Sequence, residues 1–266
     1  MQVLQAILLG IVQGATEFLP VSSSGHLRVI QEFFGIADEF GLAFDTMVHL
    51  ATLLAVVVYF REDLAHMVRA FFSRDASLAR DRRLAWLLII GTVPTGIIGL
   101  AGGDFFESAD ILYVGIAFLI TSAALTAADA LSRKSLHAAE GLGWGRAVLV
   151  GIAQGIAIMP GISRAGATMA MGLGVGLDRE QAARFSFLLS GPIILLAGAK
   201  QALEIAGGDA SLPGLAVSAA GFAAAALTGY AAIAGLMAFV KRHSFAVFAA
   251  YTAVIGVSVL VWRLTG

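Results

Sequence analysis

Six stretches of this chain are long and apolar enough to cross a membrane, and they limit the fold before any other feature is weighed. A crossing helix needs about 20 mostly apolar residues. Phe44 to Phe60, Leu84 to Gly103, Ile111 to Ala128, Phe185 to Ala199 with some extension, Leu212 to Val240 and Phe245 to Trp262 qualify. Hydrophobic residues make up 59% of the chain and charged residues only 13%, with a mean hydropathy of +0.88, which excludes a soluble globular domain. The expectation is an all-α integral membrane protein, one membrane domain over residues 1–266. The absence of cysteine removes disulfides, thiolate metal sites and a cysteine nucleophile. The start of the chain lacks a basic region and a small-residue cleavage site, so it is read as part of the fold and not as a cleaved signal.

The net charge of -1 says little, because the charges are segregated along the chain. Arg61 to Arg83 holds six arginines; Asp129 to Arg146 adds Arg133, Lys134 and Arg146; Asp178 to Arg184 adds Arg179 and Arg184; Lys241 and Arg242 complete the set. These connections carry thirteen of the seventeen basic residues, while "GGDFFESAD" (102–110) and "EIAGGDASLPG" (204–214) carry acids alone. The positive-inside rule then predicts the first group on the cytoplasmic side of a plasma membrane and the second outside.

Residues 1–35 and 145–177 are also apolar, but Pro, Gly and Ser interrupt each near its middle. Each reads as two half-helices around a break. If 145–177 crossed the membrane, the basic connection after it would lie outside, so it is predicted to dip in from the cytoplasm and return. Residues 1–35 dip in from the outside by the same count. "GIVQGATEFLPVSSSG" (10–25) aligns with "GIAQGIAIMPGISRAG" (151–166) after a one-residue slip. Three spans follow each copy, and three is odd, so the halves (about 1–130 and 145–266) form an inverted-topology repeat whose loops 20–26 and 160–166 meet near the midplane.

Irregular backbone at that depth needs protein or water to satisfy it, and an ionised group costs roughly 3 kcal/mol on insertion scales. Glu17, His26 and Arg164 therefore call for a function. The loops also bring hydroxyls (Ser22, Ser23, Ser24, Ser163, Thr168) and precede half-helices whose N-terminal amides favour an anion. Arg164 suits phosphate oxygens held two at a time. A serine or His26 is suited to attack phosphorus, and Glu17 to orient the imidazole or to hold a divalent cation. Gly25 and Gly161, in the two loops, complete the anion-binding set. The bland alternatives are a structural Glu17–Arg164 ion pair between the repeats, a capping His26 and serines that serve packing. Asp45 and His49 are read as structural or functional at even weight, Asp129, His66, His137 and His243 as solvated, and Pro94 and Pro192 as kinks.

At "QGATEFLPVSSSGHL" (13–27) and "PGISRAGAT" (160–168), supported by "FDTMVHLATLLAVVVYFREDL" (44–64) and "RFSFLLSGP" (184–192), the chain resembles the undecaprenyl-diphosphate phosphatases, or bacitracin-resistance proteins. The resemblance covers essentially the whole chain. It implies hydrolysis of undecaprenyl diphosphate, recycling of that lipid carrier for cell-wall synthesis, and use of Mg²⁺ or Ca²⁺. By motif position it puts the acidic pair on Gln13 and Glu17, the nucleophile on Ser23, the motif histidine on His26 and the phosphate-binding arginine on Arg164. Gln13 replaces a glutamate of many members and is neutral, so a cation there would draw more coordination from substrate phosphates. Ala165 replaces a common serine, which makes a critical hydroxyl there unnecessary.

The expected mechanism is attack by Ser23 with His26 as its base; nucleophilic His26, or water activated by His26, are the alternatives. The expected partners are the polyprenyl diphosphate, membrane lipids and a second copy of the chain in a homodimer, with nucleic acid excluded. The expected location is the bacterial inner membrane, with the site opening to the extracytoplasmic side. A transporter or flippase of a phosphorylated lipid or small anion is the rival, since inverted repeats with midplane charges also serve alternating access.

Overall fold

The computed structural model describes residues 2–36, 40–107, 110–131, 141–208 and 212–265. The elements among these residues are all helices. The order is α1 (Gln2–Phe18), α2 (Ser23–Phe34), α3 (Leu42–Tyr59), α4 (Arg61–Phe72), α5 (Ala79–Glu107), α6 (Ile111–Leu131), α7 (Trp144–Ile156), α8 (Arg164–Gly174), α9 (Arg179–Gly207), α10 (Leu215–Val240) and α11 (Ala246–Thr265). Six of these are long and apolar enough to span a bilayer, namely α3, α5, α6, α9, α10 and α11, so the protein is a multi-pass membrane protein.

Three boundaries differ from expectation. The fourth span is the 29-residue α9, far longer than Phe185 to Ala199. Its polar first turn hides the start from a hydropathy reading, yet Asp178 caps it by accepting from the Gln181 amide at 2.8 Å. The second span continues to Glu107, into the stretch read as an acidic connection. The basic connection 61–83 contains a whole helix, α4, entered directly from α3. Pro94 and Pro192 lie inside α5 and α9, which continue past them; each leaves the carbonyl four residues earlier without its usual donor.

The interior combines apolar core clusters with buried polar side chains, while large apolar residues face outward. Gln13, Gln154, Thr52, Thr121 and Ser190 are buried, whereas Leu100, Leu215, Leu227 and Val254 stand exposed on spanning helices. Helices approach closely where glycine allows it. The half-helix α1 lies on α10, and the half-helix α7 lies on α5. A Cβ on Gly10 would stand 2.3 Å from the Gly221 carbonyl oxygen, and one on Gly151 would stand 2.0 Å from that of Gly91. Gly10 and Gly151 are the aligned first residues of the two repeated segments, so corresponding half-helices use corresponding glycines to pack on the second long span of the opposite half. Ion pairs tie the polar ends: Asp63 of α4 with Arg184 of α9, and Asp129 of α6 with Arg179 of α9 at 3.0 Å. Asp129 is thus a paired, largely buried acid, correcting its reading as solvated: the end of α6 meets the start of α9. His66 and His243 are exposed, and His137 lies outside the described residues.

Candidate active site

Both breaks are built by the same local device. After α1, the chain turns through Leu19 to Val21, and Ser22 takes a positive φ of 71° before α2 begins. The Ser22 hydroxyl accepts from the Gly25 amide at 3.3 Å. After α7, Gly161 adopts φ 95° and Ser163 caps α8, accepting from the Gly166 amide at 3.0 Å. Ser-x-x-Gly is therefore an N-cap repeated in both halves, and it turns the first amides of α2 and α8 into the break. The loops touch at glycines: a Cβ on Gly25 would lie 2.9 Å from the Gly161 Cα and 2.7 Å from the Phe118 ring.

Glu17, in the last turn of α1, is the centre of the cluster. Its side chain is 3% exposed and has four partners. Gln13, one turn earlier, donates from Nε2 to Oε2 at 2.9 Å. The Ser23 hydroxyl donates to the same oxygen, and Arg164 Nη2 donates to Oε1. His49 of α3 points Nε2 at Oε2 from 3.4 Å. Two buried atoms of this cluster have no protein partner: Arg164 Nη1 and Gln13 Oε1. A guanidinium with one amino group anchored and one free, beside a hydroxyl on a carboxylate, is suited to seat a phosphate where the hydroxyl can reach it.

His26 does not pair with Ser23. Nδ1 faces the Ser22 carbonyl at 2.6 Å, which can only accept, so this nitrogen carries a hydrogen. Nε2 lies 2.8 Å from the Tyr251 hydroxyl of α11, and the two rings stack 4° from parallel. The expected Ser23–His26 contact is replaced by Ser23–Glu17. His26 instead ties the first loop to α11.

Other predicted groups divide the same way. Thr168 bonds the carbonyls of Arg164 and Ala165 and the hydroxyl of Ser186, so its oxygen serves the α8–α9 contact instead of an anion. Ser163 and Ser22 spend acceptor capacity on their caps, and Ser24 lies 3.5 Å from the Ser22 hydroxyl. His49 joins the cluster, while Asp45 accepts from Gln31 at 2.8 Å. Thr121 of α6, which the sequence reading missed, pins the second loop: it donates to the Gly161 carbonyl at 3.1 Å and accepts from the Ser163 amide at 2.9 Å. An isolated threonine in an apolar span carries no motif, and neither does Tyr251.

Oxygen donors suited to a divalent cation are Glu17 and Gln13 Oε1. Among the described residues no three of His, Asp and Glu gather as a protein-only cage. A cation would need phosphate oxygens to complete its shell, and the unpartnered Gln13 oxygen fits that arrangement.

Known proteins are similar to the chain along nearly its whole length. The chain is 46% identical to the undecaprenyl-diphosphatase of Rubrobacter xylanophilus, over 94% of each chain. It is 41% identical to that of Methanosphaera stadtmanae, over 98% of each, and 39% identical to that of Myxococcus xanthus, over 100% of this chain and 91% of the relative. Residues 6–258 match the family described as bacitracin resistance protein BacA, and to that family the chain belongs.

Proposed function

We propose that the protein is a membrane phosphatase that hydrolyses undecaprenyl diphosphate to undecaprenyl phosphate and inorganic phosphate, so recycling the carrier for wall synthesis and conferring bacitracin resistance. The observation that carries the chemistry is the shared carboxylate: Ser23 and Arg164 both bond Glu17, and Arg164 keeps a buried amino group free. Glu17 takes the Ser23 proton as the hydroxyl oxygen attacks the terminal phosphorus. A serine–phosphorus bond forms, the anhydride bond breaks, and undecaprenyl phosphate leaves. Glu17 passes that proton to the departing phosphate; water then attacks the phosphoserine and gives a proton to Glu17, which returns it to the Ser23 oxygen as the serine–phosphorus bond breaks and inorganic phosphate leaves. Arg164, with the first amides of α2 and α8, holds the phosphoryl oxygens as negative charge builds on them. His26 and Thr121 position the two loops. His26 as base gives way here to Glu17, because both its ring nitrogens are engaged away from Ser23.

A Mg²⁺ or Ca²⁺ ion held by Glu17, Gln13 Oε1 and substrate oxygens would neutralise the diphosphate. The charge segregation along the chain supports a bacterial inner-membrane location with loop 20–26 entering from outside, as an inverted repeat requires. The deciding experiment is phosphate release from a polyprenyl diphosphate by purified protein, with and without EDTA. Release that EDTA suppresses is expected. Transbilayer movement of the lipid in vesicles without any phosphate release would overturn the phosphatase in favour of a flippase.

A further inference from the structure

Away from the phosphate cluster, three arginines in the first turns of α5 line a cleft that the proposed chemistry does not use. Ala79, Arg80, Arg82, Arg83 and Trp86 of α5, with Trp144 at the start of α7, line an open cavity of about 440 Å³. Two guanidinium groups are fixed there by neutral acceptors. Arg82 Nη1 donates to the carbonyls of Ser73 at 2.8 Å and Asp75 at 3.3 Å. Arg83 Nη2 donates to the Leu142 carbonyl at 3.2 Å, with its guanidinium 5.5 Å over the Trp144 ring. Carbonyls orient these forks without cancelling their charge. Asp75 attracts Arg82, but one of its carboxylate oxygens is taken by the Ser77 amide at 2.8 Å.

The rim is apolar. Trp86 is 44% exposed and Trp144 46%; Phe71 packs on Trp86, and the neighbouring Phe72 is 83% exposed. A small inorganic anion would use the arginines and leave this aromatic wall bare. A molecule with an anionic head and hydrocarbon beside it would use both. Tryptophans of this kind sit at headgroup level, and basic pockets between spanning helices take acidic headgroups.

We propose that this cleft binds the phosphodiester headgroup of an acidic phospholipid, with Arg80, Arg82 and Arg83 on the phosphate and Phe72, Trp86 and Trp144 against the glycerol and first acyl carbons. The bound lipid bridges α5 and the start of α7, the helix that leads to the Gly161 loop, and so braces the second half of the phosphate cluster from the opposite end.

The test is native mass spectrometry of the purified full chain, offered phosphatidylglycerol or phosphatidylcholine at equal concentration. Preferential retention of phosphatidylglycerol is expected. Arg80→Gln with Arg83→Gln should lower that retention on the order of tenfold or more. Thermal unfolding of the double variant checks its fold, since Arg83 also holds Leu142; Arg80→Gln alone, at an exposed position, should still lower retention severalfold. Equal retention of phosphatidylcholine, or undiminished retention by Arg80→Gln in a folded protein, would overturn the site. Complete displacement of the lipid by millimolar inorganic phosphate would reassign the cleft to a small anion and overturn the lipid reading.

Discussion

Ser23 and Arg164 are the first residues of two half-helices, α2 and α8, and both bond the carboxylate of Glu17. The repeat alignment makes them equivalent positions, each following the serine that caps its half-helix. Two copies of one device thus supply different chemistry at matching points: a hydroxyl from one half and a guanidinium from the other. Glu17, carried by the first half only, breaks the symmetry and makes a site out of a repeat.

Arg164→Lys tests the guanidinium half of that arrangement. A lysine keeps the charge but cannot anchor one amino group on Glu17 while offering another to phosphate. The expected result is a loss on the order of 10²-fold in kcat/KM, with the protein still folded in detergent. Phosphate-release kinetics check it, and near-normal turnover would remove Arg164 from phosphate binding.

The attacking atom can be trapped. With polyprenyl diphosphate labelled on its terminal phosphate and a rapid acid quench, wild-type protein should carry label on Ser23, and Ser23→Ala should carry none and turn over no substrate. His26→Ala should still be labelled, because Glu17 and not His26 accepts the Ser23 proton. Its main cost is structural, about 1–3 kcal/mol for the orphaned Ser22 carbonyl and Tyr251 hydroxyl. Label on histidine would reverse these roles.

How far the sequence reaches is visible in these same residues. Glu17, Ser23 and Arg164 were legible because charged and hydroxyl groups are costly at membrane depth unless used, and because Ser-x-x-Gly recurs. The Ser23–Glu17 pairing was not, since the side chains of Ser23 and His26 lie on one short helix and only the fold decides which way each turns. His26 turns to Tyr251, more than two hundred residues away. Thr121 and Tyr251 act through such distant contacts and leave no local pattern. The spans were legible from hydropathy over their cores, but α9 began earlier than its apolar run because a capping Asp178 and a polar first turn precede it.

Gln13 offers a test of the cation that reads binding as well as rate. Gln13→Glu replaces a neutral amide, whose Oε1 is buried without a partner, by a second carboxylate beside Glu17. The half-saturating Mg²⁺ or Ca²⁺ concentration, measured by calorimetry with a non-hydrolysable diphosphate present, should fall. An unchanged titration would move Gln13 out of any cation site.

Helix contact in the second half depends on Gly151. Gly151→Ala would put a Cβ 2.0 Å from the Gly91 carbonyl oxygen, a backbone atom that cannot swing aside. The change should cost about 1–3 kcal/mol or more as α7 is forced off α5. Gly235→Ala, in α10 with nothing within 4 Å of the added carbon, should instead be neutral or stabilising by about 0.5–1 kcal/mol. Thermal unfolding of the two variants in the same detergent separates the steric effect from helix propensity, and equal midpoints would refute the close contact.

Orientation decides which side the diphosphate head is drawn from. The six arginines of 61–83 predict that this connection faces the cytoplasm, and the absence of Lys and Arg from 204–214 predicts that it faces out. Between these two connections lie the remainder of α5, α6, the re-entrant pair α7–α8, and α9. Three crossings and one return put them on opposite sides, whereas a full crossing by 145–177 would put them on the same side. One pair of positions therefore tests both the charge rule and the inversion of the second repeat. The chain has no cysteine, so single cysteines can be placed without background. Ser77 and Leu212 are both exposed and lie outside the phosphate cluster. In intact cells Leu212→Cys should react with a membrane-impermeant maleimide, and Ser77→Cys should react only after lysis. Reaction of both in sealed cells would mean that 145–177 spans the membrane. Reaction of Ser77→Cys alone would turn the whole protein over and place the entrance to loop 20–26 on the cytoplasmic side.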